Sequence, residues 1–338
     1  MPSSAVHEEH DEVLRLILAG FAAQVVSALA NLSIAEQLDN GPLTAKQIAA
    51  HISADADMIY RLLRAGVALG LLNYDRATEA FAPTPRLAIL HQDSAFTLKH
   101  FAQTVASPAF WHTSQRLADS VRRGRNYVEE TLGADLWGYF AQHNDQAWMF
   151  RSAMTDISAP VVREAVAAID AGTGFVVDVG GASGTFVGEL VQRNPRLTGA
   201  VFDLPQAMPG VAEHAERLGI SDRMSGIAGD FFESVPAGDY YLLKFILHDW
   251  SDESCIKILS NIRRAMKPDA RLFVVEMVIP ERDIPTAAAM LDMVMLFSLT
   301  GQERELAEYE KLFTAADLKM AKTTVLHRPY QLIEARPR

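Results

Sequence analysis

The chain has 338 residues, of which 49% are hydrophobic, and it carries a formal net charge of −11. This length allows two domains with sizeable cores, whereas the negative charge argues against broad binding to nucleic acids or to anionic membranes. The single cysteine, Cys255, excludes an intrachain disulfide framework and fits a reducing compartment.

The N-terminal region is predicted to be one long apolar helix. The polar, acidic residues before it show no signal peptide, so we expect a cytoplasmic protein. Apolar residues recur at helical spacing over 11–38, on an arc wide enough for two neighbours, one of which we expect to be a second subunit. Within this region, 16–38 is the candidate membrane span, but Gln24, Asn31 and Glu36 interrupt it, and we expect no membrane insertion.

A winged-helix pattern follows the first helix. Segments 43–51 and 58–72 have helical spacing with a turn between them, and 72–83 is typical of a short hairpin wing. A DNA-binding regulator is the alternative function for this shape, but Asp55 and Asp57 open the second helix, where they would repel phosphates. We therefore expect a packing and dimerisation module.

The rest of the chain is predicted to have two parts that differ in composition and secondary structure. Residues 101–171 form a helical connector rich in aromatic side chains, and from 172 to 338 short apolar strands alternate with helices. The predicted strands are 175–179, 199–202, 224–228, 240–245, 271–276, 319–327 and 330–335. Such alternation predicts an α/β fold, with a mostly parallel sheet covered on both faces and ligands at the carboxyl ends of the strands.

A glycine-rich turn after the first of these strands is the most informative motif. The dinucleotide pattern G-x-G-x-x-G fails at Val179 in one register and at Ala182 in the other. A phosphate-binding loop is also excluded, because no lysine or arginine lies between Asp178 and Leu190. The remaining pattern, D-x-G-G-x-x-G, suits a cofactor that has a cationic amino-acid end, and that cofactor is S-adenosylmethionine.

Acidic residues end three successive predicted strands. Asp178 precedes the glycine turn, Asp203 could accept both hydroxyls of a ribose, and Asp230 with Phe231 could bind and cover an adenine ring. Each acid alone could equally be a helix cap. Three in succession after this turn favour a cofactor site.

The sequence resembles the small-molecule O-methyltransferases of the plant caffeic-acid and hydroxyindole type, including bacterial relatives in antibiotic pathways. The motifs that carry the resemblance are D-V-G-G-A-S-G (178–184), F-D-L-P (202–205), G-D-F-F (229–232), H-D-W-S-D-E (248–253) and T-G-Q-E-R (300–304). The resemblance implies a class I methyltransferase, with a Rossmann-like domain over 172–338 and an N-terminal all-α winged-helix dimerisation domain over 1–100. It also implies a homodimer, S-adenosylmethionine as cofactor and a connector at 101–171 that contributes to the substrate pocket.

The resemblance assigns roles to individual residues. It makes His248 the catalytic base and places Glu276 and Glu303 beside it, to hold the imidazole in the right tautomer. The cofactor contacts that it implies are Gly180, Asp203, Asp230, Phe231, Lys244 and Ser158. The acceptor contacts are Met154, Asp249 and Met295. One departure is Ala182, which replaces the third glycine of the more usual G-G-G turn and should be tolerated if its φ is negative.

We expect methylation of a hydroxyl on a planar aromatic secondary metabolite that is phenazine-, anthracycline- or phenol-like. Two other enzymatic functions stay open: methylation of a ring nitrogen, and hydroxylation or decarboxylation with the cofactor as a structural element. No metal is expected, although Asp230, Asp249, Glu276 and Glu303 could gather around Mg²⁺.

Overall fold

The computed structural model describes residues 4–280 and 286–338. These form two compact units. The first comprises the chain up to Trp111 together with Phe140–Ile157, and the second comprises His112–Tyr139 and Ser158–Arg338. The connector predicted over 101–171 is therefore divided between the two units and forms no unit of its own.

The first unit contains the predicted winged helix. Its elements begin with α1 (Ser4–Asn31), α2 (Ile34–Gln37), β1 (Leu43–Thr44), α3 (Ala45–Ile52), α4 (Ala56–Ala68), β2 (Leu72–Asp75) and β3 (Ala80–Pro83). After a 3₁₀ turn at Leu87–Leu90 come α5 (Lys99–Val105) and α6 (Pro108–Ser114). Strands β2 and β3 form the predicted wing, and β3 also pairs with β1, so in the described residues this domain carries an antiparallel sheet in the order β1-β3-β2. The predicted helical dimerisation domain with a hairpin wing is confirmed, and β1 adds a third short strand to the wing.

Local capping explains where the helices of the winged motif begin. Thr44 and Gln47 form a reciprocal capping box at the start of α3. The Asp55 carboxylate caps α4 by accepting hydrogen bonds from the amides of Asp57 (3.0 Å) and Met58 (2.9 Å). Ser33, at φ +49°, ends the first helix earlier than predicted and separates α1 from α2.

Helix α1 is unusually apolar and exposed. Within its span Val6–Asn31, an 18-residue window has a mean hydropathy of 1.9, and 17% of that window is buried, so by length and composition the helix could cross a membrane. The expectation of no membrane insertion stays a prediction, because the core helix of a soluble protein passes the same test. The exposed side chains include Val13, Leu14, Leu16, Ile17, Leu18 and Phe21, which are between 44% and 67% exposed. A surface of this kind needs a partner.

Several helices lie in or across the boundaries of the second unit. They are α7 (Leu117–Arg123), α8 (Val128–Leu132), α9 (Leu136–Gln142) and α10 (Asn144–Ala168). The remaining elements alternate strand and helix: β4 (Gly174–Val179), α11 (Thr185–Arg193), β5 (Leu197–Asp203), α12 (Met208–Leu218), β6 (Met224–Ala228), β7 (Gly238–Lys244), α13 (Asp252–Ala265), β8 (Met266–Met277), α14 (Ala287–Ser298), α15 (Leu306–Ala315), β9 (Leu318–Val325) and β10 (Tyr330–Pro337).

The sheet of the second unit positions the candidate site. Among the described residues its strand order is β6-β5-β4-β7-β8-β10-β9, parallel from β6 to β8 and antiparallel for β10 and β9. This arrangement confirms the predicted α/β class with a mostly parallel sheet. The order of connection reverses between β4 and β7, and ligands of open α/β sheets bind at such a switch point, outside the carboxyl ends of the strands.

Candidate active site

The glycine turn follows β4 at the switch point, and its geometry requires small residues. Gly180 has φ +70°, and a Cβ added there would lie 2.6 Å from Cδ1 of Ile246. A Cβ on Gly181 would lie 2.5 Å from Cγ of Asp178. Close packing within the protein therefore requires glycine at both positions, and the backbone of the turn carries no side chain there.

Asp178 supports this turn from inside the protein. Its carboxylate is 1% exposed and accepts a hydrogen bond from the amide of Val187 (3.2 Å), in the first turns of α11. Burial raises the pKa of Asp178 to about 7, against the opposing effect of that hydrogen bond. Asp178 therefore fits the alternative role of a helix cap, because its carboxylate links the end of β4 to the start of α11.

Ala182 adopts a left-handed conformation, with φ +50°. The sequence predicted that alanine is tolerated at this position if its φ is negative. The structure shows a positive φ, so this condition is not met. A left-handed conformation costs a residue that has a Cβ roughly 1–2 kcal/mol. The Ala182 amide donates to Oδ2 of Asp203 (2.9 Å), which helps to hold the turn in this strained shape.

The other acids at the strand ends are also engaged by backbone amides. Besides Ala182, Asp203 accepts from the amide of Leu204 through Oδ1 (2.7 Å). Oδ1 of Asp230 accepts from the amide of Phe232 (2.7 Å). These contacts fix the carboxylates, and each oxygen can still accept from a ligand hydroxyl or amine through its second lone pair.

Aromatic rings surround the region next to the turn. The Phe231 ring lies 4.9 Å from that of Phe232 and 6.1 Å from that of Trp250, measured between centroids. Trp137 stacks near Trp250 at 6.4 Å. Such rings can cover a flat ligand.

In the second unit Lys244 is half-buried and Ser158 is buried. Burial lowers the pKa of Lys244, while the charges of Asp178, Glu276 and Asp249 oppose this shift. Ser158 is fully buried on α10. Lys244 ends β7, so it stands beside the carboxyl end of β4 in the sheet.

His248 lies on a one-turn 3₁₀ helix, Leu247–Asp249, that follows β7. Its Nδ1 is 2.8 Å from Oε1 of Glu303, and its Nε2 is 3.4 Å from Oδ1 of Asp249. The side chain is 12% exposed. One ring nitrogen is therefore held by a buried carboxylate, and the other lies beside a second acid.

Glu276 lies beside His248 but contacts the backbone of the turn rather than the imidazole. Its Oε1 accepts hydrogen bonds from the amides of Ile246 (3.1 Å) and Leu247 (2.8 Å), directly before His248. Its Oε2 is 3.8 Å from Nδ1 of His248, too far for a hydrogen bond. Glu276 thus orients the turn that carries His248, and only Glu303 is hydrogen-bonded to the imidazole.

The charges of this cluster are strongly coupled. Burial alone would lower the pKa of His248, but the negative charges of Glu276, Asp249 and Glu303, with the Glu303 hydrogen bond, outweigh it and raise the pKa to about 10. Burial raises the pKa of Glu276 to about 7 and that of Asp249 to about 6, against the lowering effect of His248. An imidazolium among carboxylates is the dominant form at neutral pH.

The same three side chains could also hold a metal ion. His248, Glu276 and Glu303 offer ligand atoms that lie within 4.8 Å of one another. Oε2 of each glutamate and the Tyr309 hydroxyl have no hydrogen-bond partner within the described part of the chain. That the methyltransferase reaction needs no metal at this cluster stays a prediction.

The predicted acceptor residues are distributed over both units. Met295 is buried on α14, and Asp249 adjoins His248, both in the second unit. Met154 is half-buried on α10 within the first unit. Their contact with an acceptor stays a prediction.

Two residues beside the site were missed, although both lie in the T-G-Q-E-R motif. Gly301 packs against the backbone of the His248 turn, and Arg304 is fully buried against the same turn. The sequence gives no signal for either role beyond the motif itself, because the burial of Arg304 appears only in the folded chain.

Comparisons with known proteins agree with this geometry. The family model for the O-methyltransferase domain matches residues 114–319, and that for the O-methyltransferase dimerisation domain matches 14–93. The mitomycin biosynthesis 6-O-methyltransferase of Streptomyces lavendulae is 31% identical, over 99% of this chain and 97% of its own. The chain belongs to the O-methyltransferase family.

Other relatives of this methyltransferase extend the similarity. The phenazine O-methyltransferase PhzM of Lysobacter antibioticus is 29% identical over 96% of this chain and 95% of its own. The structure of human N-acetylserotonin methyltransferase in complex with S-adenosylmethionine has a TM-score of 0.89 and 25% identity, covering 99% of this chain and 98% of that one. The predicted resemblance is confirmed, and the methyltransferase uses S-adenosylmethionine as its cofactor.

Proposed function

We propose that this methyltransferase transfers a methyl group to a hydroxyl of a planar aromatic secondary metabolite and that His248 is the base that removes the hydroxyl proton. The observation that carries the proposal is the 2.8 Å contact between Nδ1 of His248 and Oε1 of Glu303. His248 follows β7, the strand that adjoins β4 and its glycine turn.

The residues around the turn fit the cofactor. Gly180 and Gly181 carry no side chain, so the backbone of the turn could come close to a bound ligand. We assign Asp203 to the ribose hydroxyls and Asp230 with Phe231 to the adenine. Gly180, Lys244 and Ser158 complete the proposed set of contacts. S-adenosylmethionine supplies a methyl group on a sulfonium, which is already an activated electrophile.

The electrostatics of His248 suit a phenolic acceptor. A phenol has a pKa near 10, so an ordinary histidine would take its proton against a difference of about 3.5 pKa units. The carboxylates raise the pKa of His248 to about 10 and thereby remove most of that difference. The consequence is that His248 must lose a proton to solvent before each turnover, so activity should rise with pH.

Glu303 and Glu276 have separate parts in this mechanism. Glu303 accepts from Nδ1 and leaves Nε2 as the nitrogen that receives the substrate proton. Glu276 holds the amides before His248 and so fixes the direction of the ring. The histidine base makes a metal unnecessary, and we expect full activity after treatment with a chelator.

The acceptor class follows from the relatives and from the side chains. Mitomycin and phenazine biosynthesis enzymes are among the similar proteins. Met295, Met154 and Asp249 are the proposed acceptor contacts, and the rings of Trp137 and Trp250 could stack on a flat molecule. We propose a phenazine-, anthracycline- or phenol-like acceptor.

The exposed apolar face of α1 supports a homodimer. The dimerisation-domain match begins at residue 14, and the exposed side chains from Val13 to Phe21 lie in this part of α1. A second copy of the chain would cover these side chains. We therefore propose a cytoplasmic homodimer that does not insert into a membrane. Light scattering that shows a monomer, or vesicle binding by the pure protein, would contradict it. Asp55 and Asp57, at the start of α4, argue against DNA as the partner.

The test of the proposed base is His248→Ala. We expect methyl transfer to fall at least tenfold, because general-base catalysis contributes about 10²–10⁴, while calorimetry shows unchanged cofactor affinity. His327→Ala, an exposed histidine of the same unit, is the matched control. Mass spectrometry should show a gain of one methylene unit, and the NMR shift of the new methyl group should place it on oxygen. Full activity of His248→Ala, or methylation of nitrogen alone, would contradict the proposal.

A further inference from the structure

Arg304 is a fully buried arginine that is bonded to the turn carrying His248. Its Nη1 donates to the carbonyl of Leu247 (2.8 Å) and its Nη2 to the carbonyl of Trp250 (2.8 Å). These carbonyls lie on either side of His248 and Asp249. One planar guanidinium therefore holds both ends of the 3₁₀ turn, a geometry that matches its fixed fork of donors.

The backbone of Arg304 is tied to the strand that carries Glu276. Arg304 pairs with Val278 in a parallel bridge, and its carbonyl accepts from the amide of Ile279 (3.0 Å). Both residues follow Glu276 at the end of β8, and Glu303 directly precedes Arg304. The three segments that supply His248, Glu276 and Glu303 thus converge on one residue.

Gly301 allows this close packing. A Cβ added to Gly301 would overlap the carbonyl oxygen of His248 and the amide nitrogen of Trp250. The 301–304 segment therefore approaches the turn at a distance that only glycine permits.

We propose that Arg304 is a positioning residue, which sets the distance and direction of the His248 imidazole relative to Glu303. The inference rests on the proposed role of His248 as base. Arg304 touches neither reacting group. It acts through the carbonyls of Leu247 and Trp250.

The test is Arg304→Lys, which keeps the charge but cannot bridge two carbonyls. Because a displacement of about 1 Å can cost a hundredfold in rate, we expect kcat to fall by about tenfold to a hundredfold. KM for the acceptor and the affinity for S-adenosylmethionine should stay near wild type. The ascending limb of the pH profile should also move to lower pH, because a loosened imidazole loses part of its contact with Glu303.

The matched control is Arg271→Lys. Arg271 forms a bidentate pair with Glu334 (3.0 and 2.8 Å) in the same unit, away from the His248 turn. We expect this variant to keep the wild-type kcat and pH profile. Equal losses in Arg304→Lys and Arg271→Lys, or a loss in Arg304→Lys without a change of pH profile, would reduce Arg304 to a stability role and overturn the inference.

Gly301→Ala is the second variant, because it moves the turn while leaving Arg304 intact. Slow turnover with retained cofactor affinity would support the inference, whereas wild-type turnover of a folded Gly301→Ala would overturn it. Failure of both variants to fold would also overturn it, because the contacts would then serve stability. If His248→Ala is fully active, the proposed base is wrong. If His248→Ala is slow but Arg304→Lys is not, only the positioning role is wrong.

Discussion

Replacement of Glu303 by glutamine tests how the site makes His248 basic. The pKa of His248 is raised from 6.5 to about 10, which corresponds to about 5 kcal/mol at 1.36 kcal/mol per unit. Three carboxylates share this effect, and Glu303 makes the shortest contact, 2.8 Å from Nδ1. Loss of its charge destabilises the imidazolium, so the pKa of His248 should fall by about 1–2 units.

The assay is kcat/KM for the acceptor as a function of pH, with S-adenosylmethionine saturating. Wild-type activity should rise with pH toward the pKa of His248. In Glu303→Gln the ascending limb should lie at lower pH, while the plateau falls, because the weaker base takes the proton less readily. If the ascending limb reports ionisation of the acceptor, its position changes with the pKa of the phenol. Two phenols of different pKa therefore distinguish ionisation of the acceptor from ionisation of His248.

The control for this experiment is Glu310→Gln, an exposed carboxylate on α15 of the same unit. Its pH profile should match that of wild type. If Glu303→Gln has the same ascending limb as wild type with both phenols, Glu303 does not set the basicity of His248, and the electrostatic account of the site is wrong.

Three further predictions concern stability and cofactor binding. Ala182→Gly should leave the free energy of unfolding unchanged or raise it by up to about 1 kcal/mol, because it relieves a left-handed alanine. The control Ala307→Gly, in α15, should lower it by about 1 kcal/mol. Chemical denaturation measures both values. Asp203→Ala should weaken S-adenosylmethionine binding before it affects turnover at saturation, with Asp222→Ala as the exposed control, and intact affinity by calorimetry would contradict the ribose assignment. The raised pKa of His248 stabilises the folded state fully below about pH 6.5, and this contribution is lost as pH rises through about 10. The thermal midpoint of unfolding should therefore fall between pH 8 and 10. The fall should be less steep in His248→Asn.

The strand ends could be predicted from the sequence because their signals are local. A buried apolar run that leads into a glycine turn specifies a strand and a close backbone approach, and β4 ends at Val179 as expected. The acids of the next two strands follow the same rule. The family motif then added His248, Glu276 and Glu303, which lie together in the structure.

The rest depends on contacts between distant parts of the chain. The double contact of Glu276 with the amides of Ile246 and Leu247 needs the register of β7 against β8, which no local pattern contains. The positive φ of Ala182 depends in the same way on the carboxylate of Asp203, which lies on another strand. The role of Arg304 depends on three segments that meet only in the folded chain.

The course of the chain between its two units has a practical consequence for protein engineering. The path changes unit after Trp111, after Tyr139 and again after Ile157, so the segment Phe140–Ile157 belongs to the N-terminal unit although it follows part of the other. Truncation at a single position cannot give either unit intact. A fragment that starts near residue 112 would retain the eighteen residues Phe140–Ile157 but lack the rest of the unit to which they belong. Chimaeras between relatives should therefore exchange both N-terminal pieces at once.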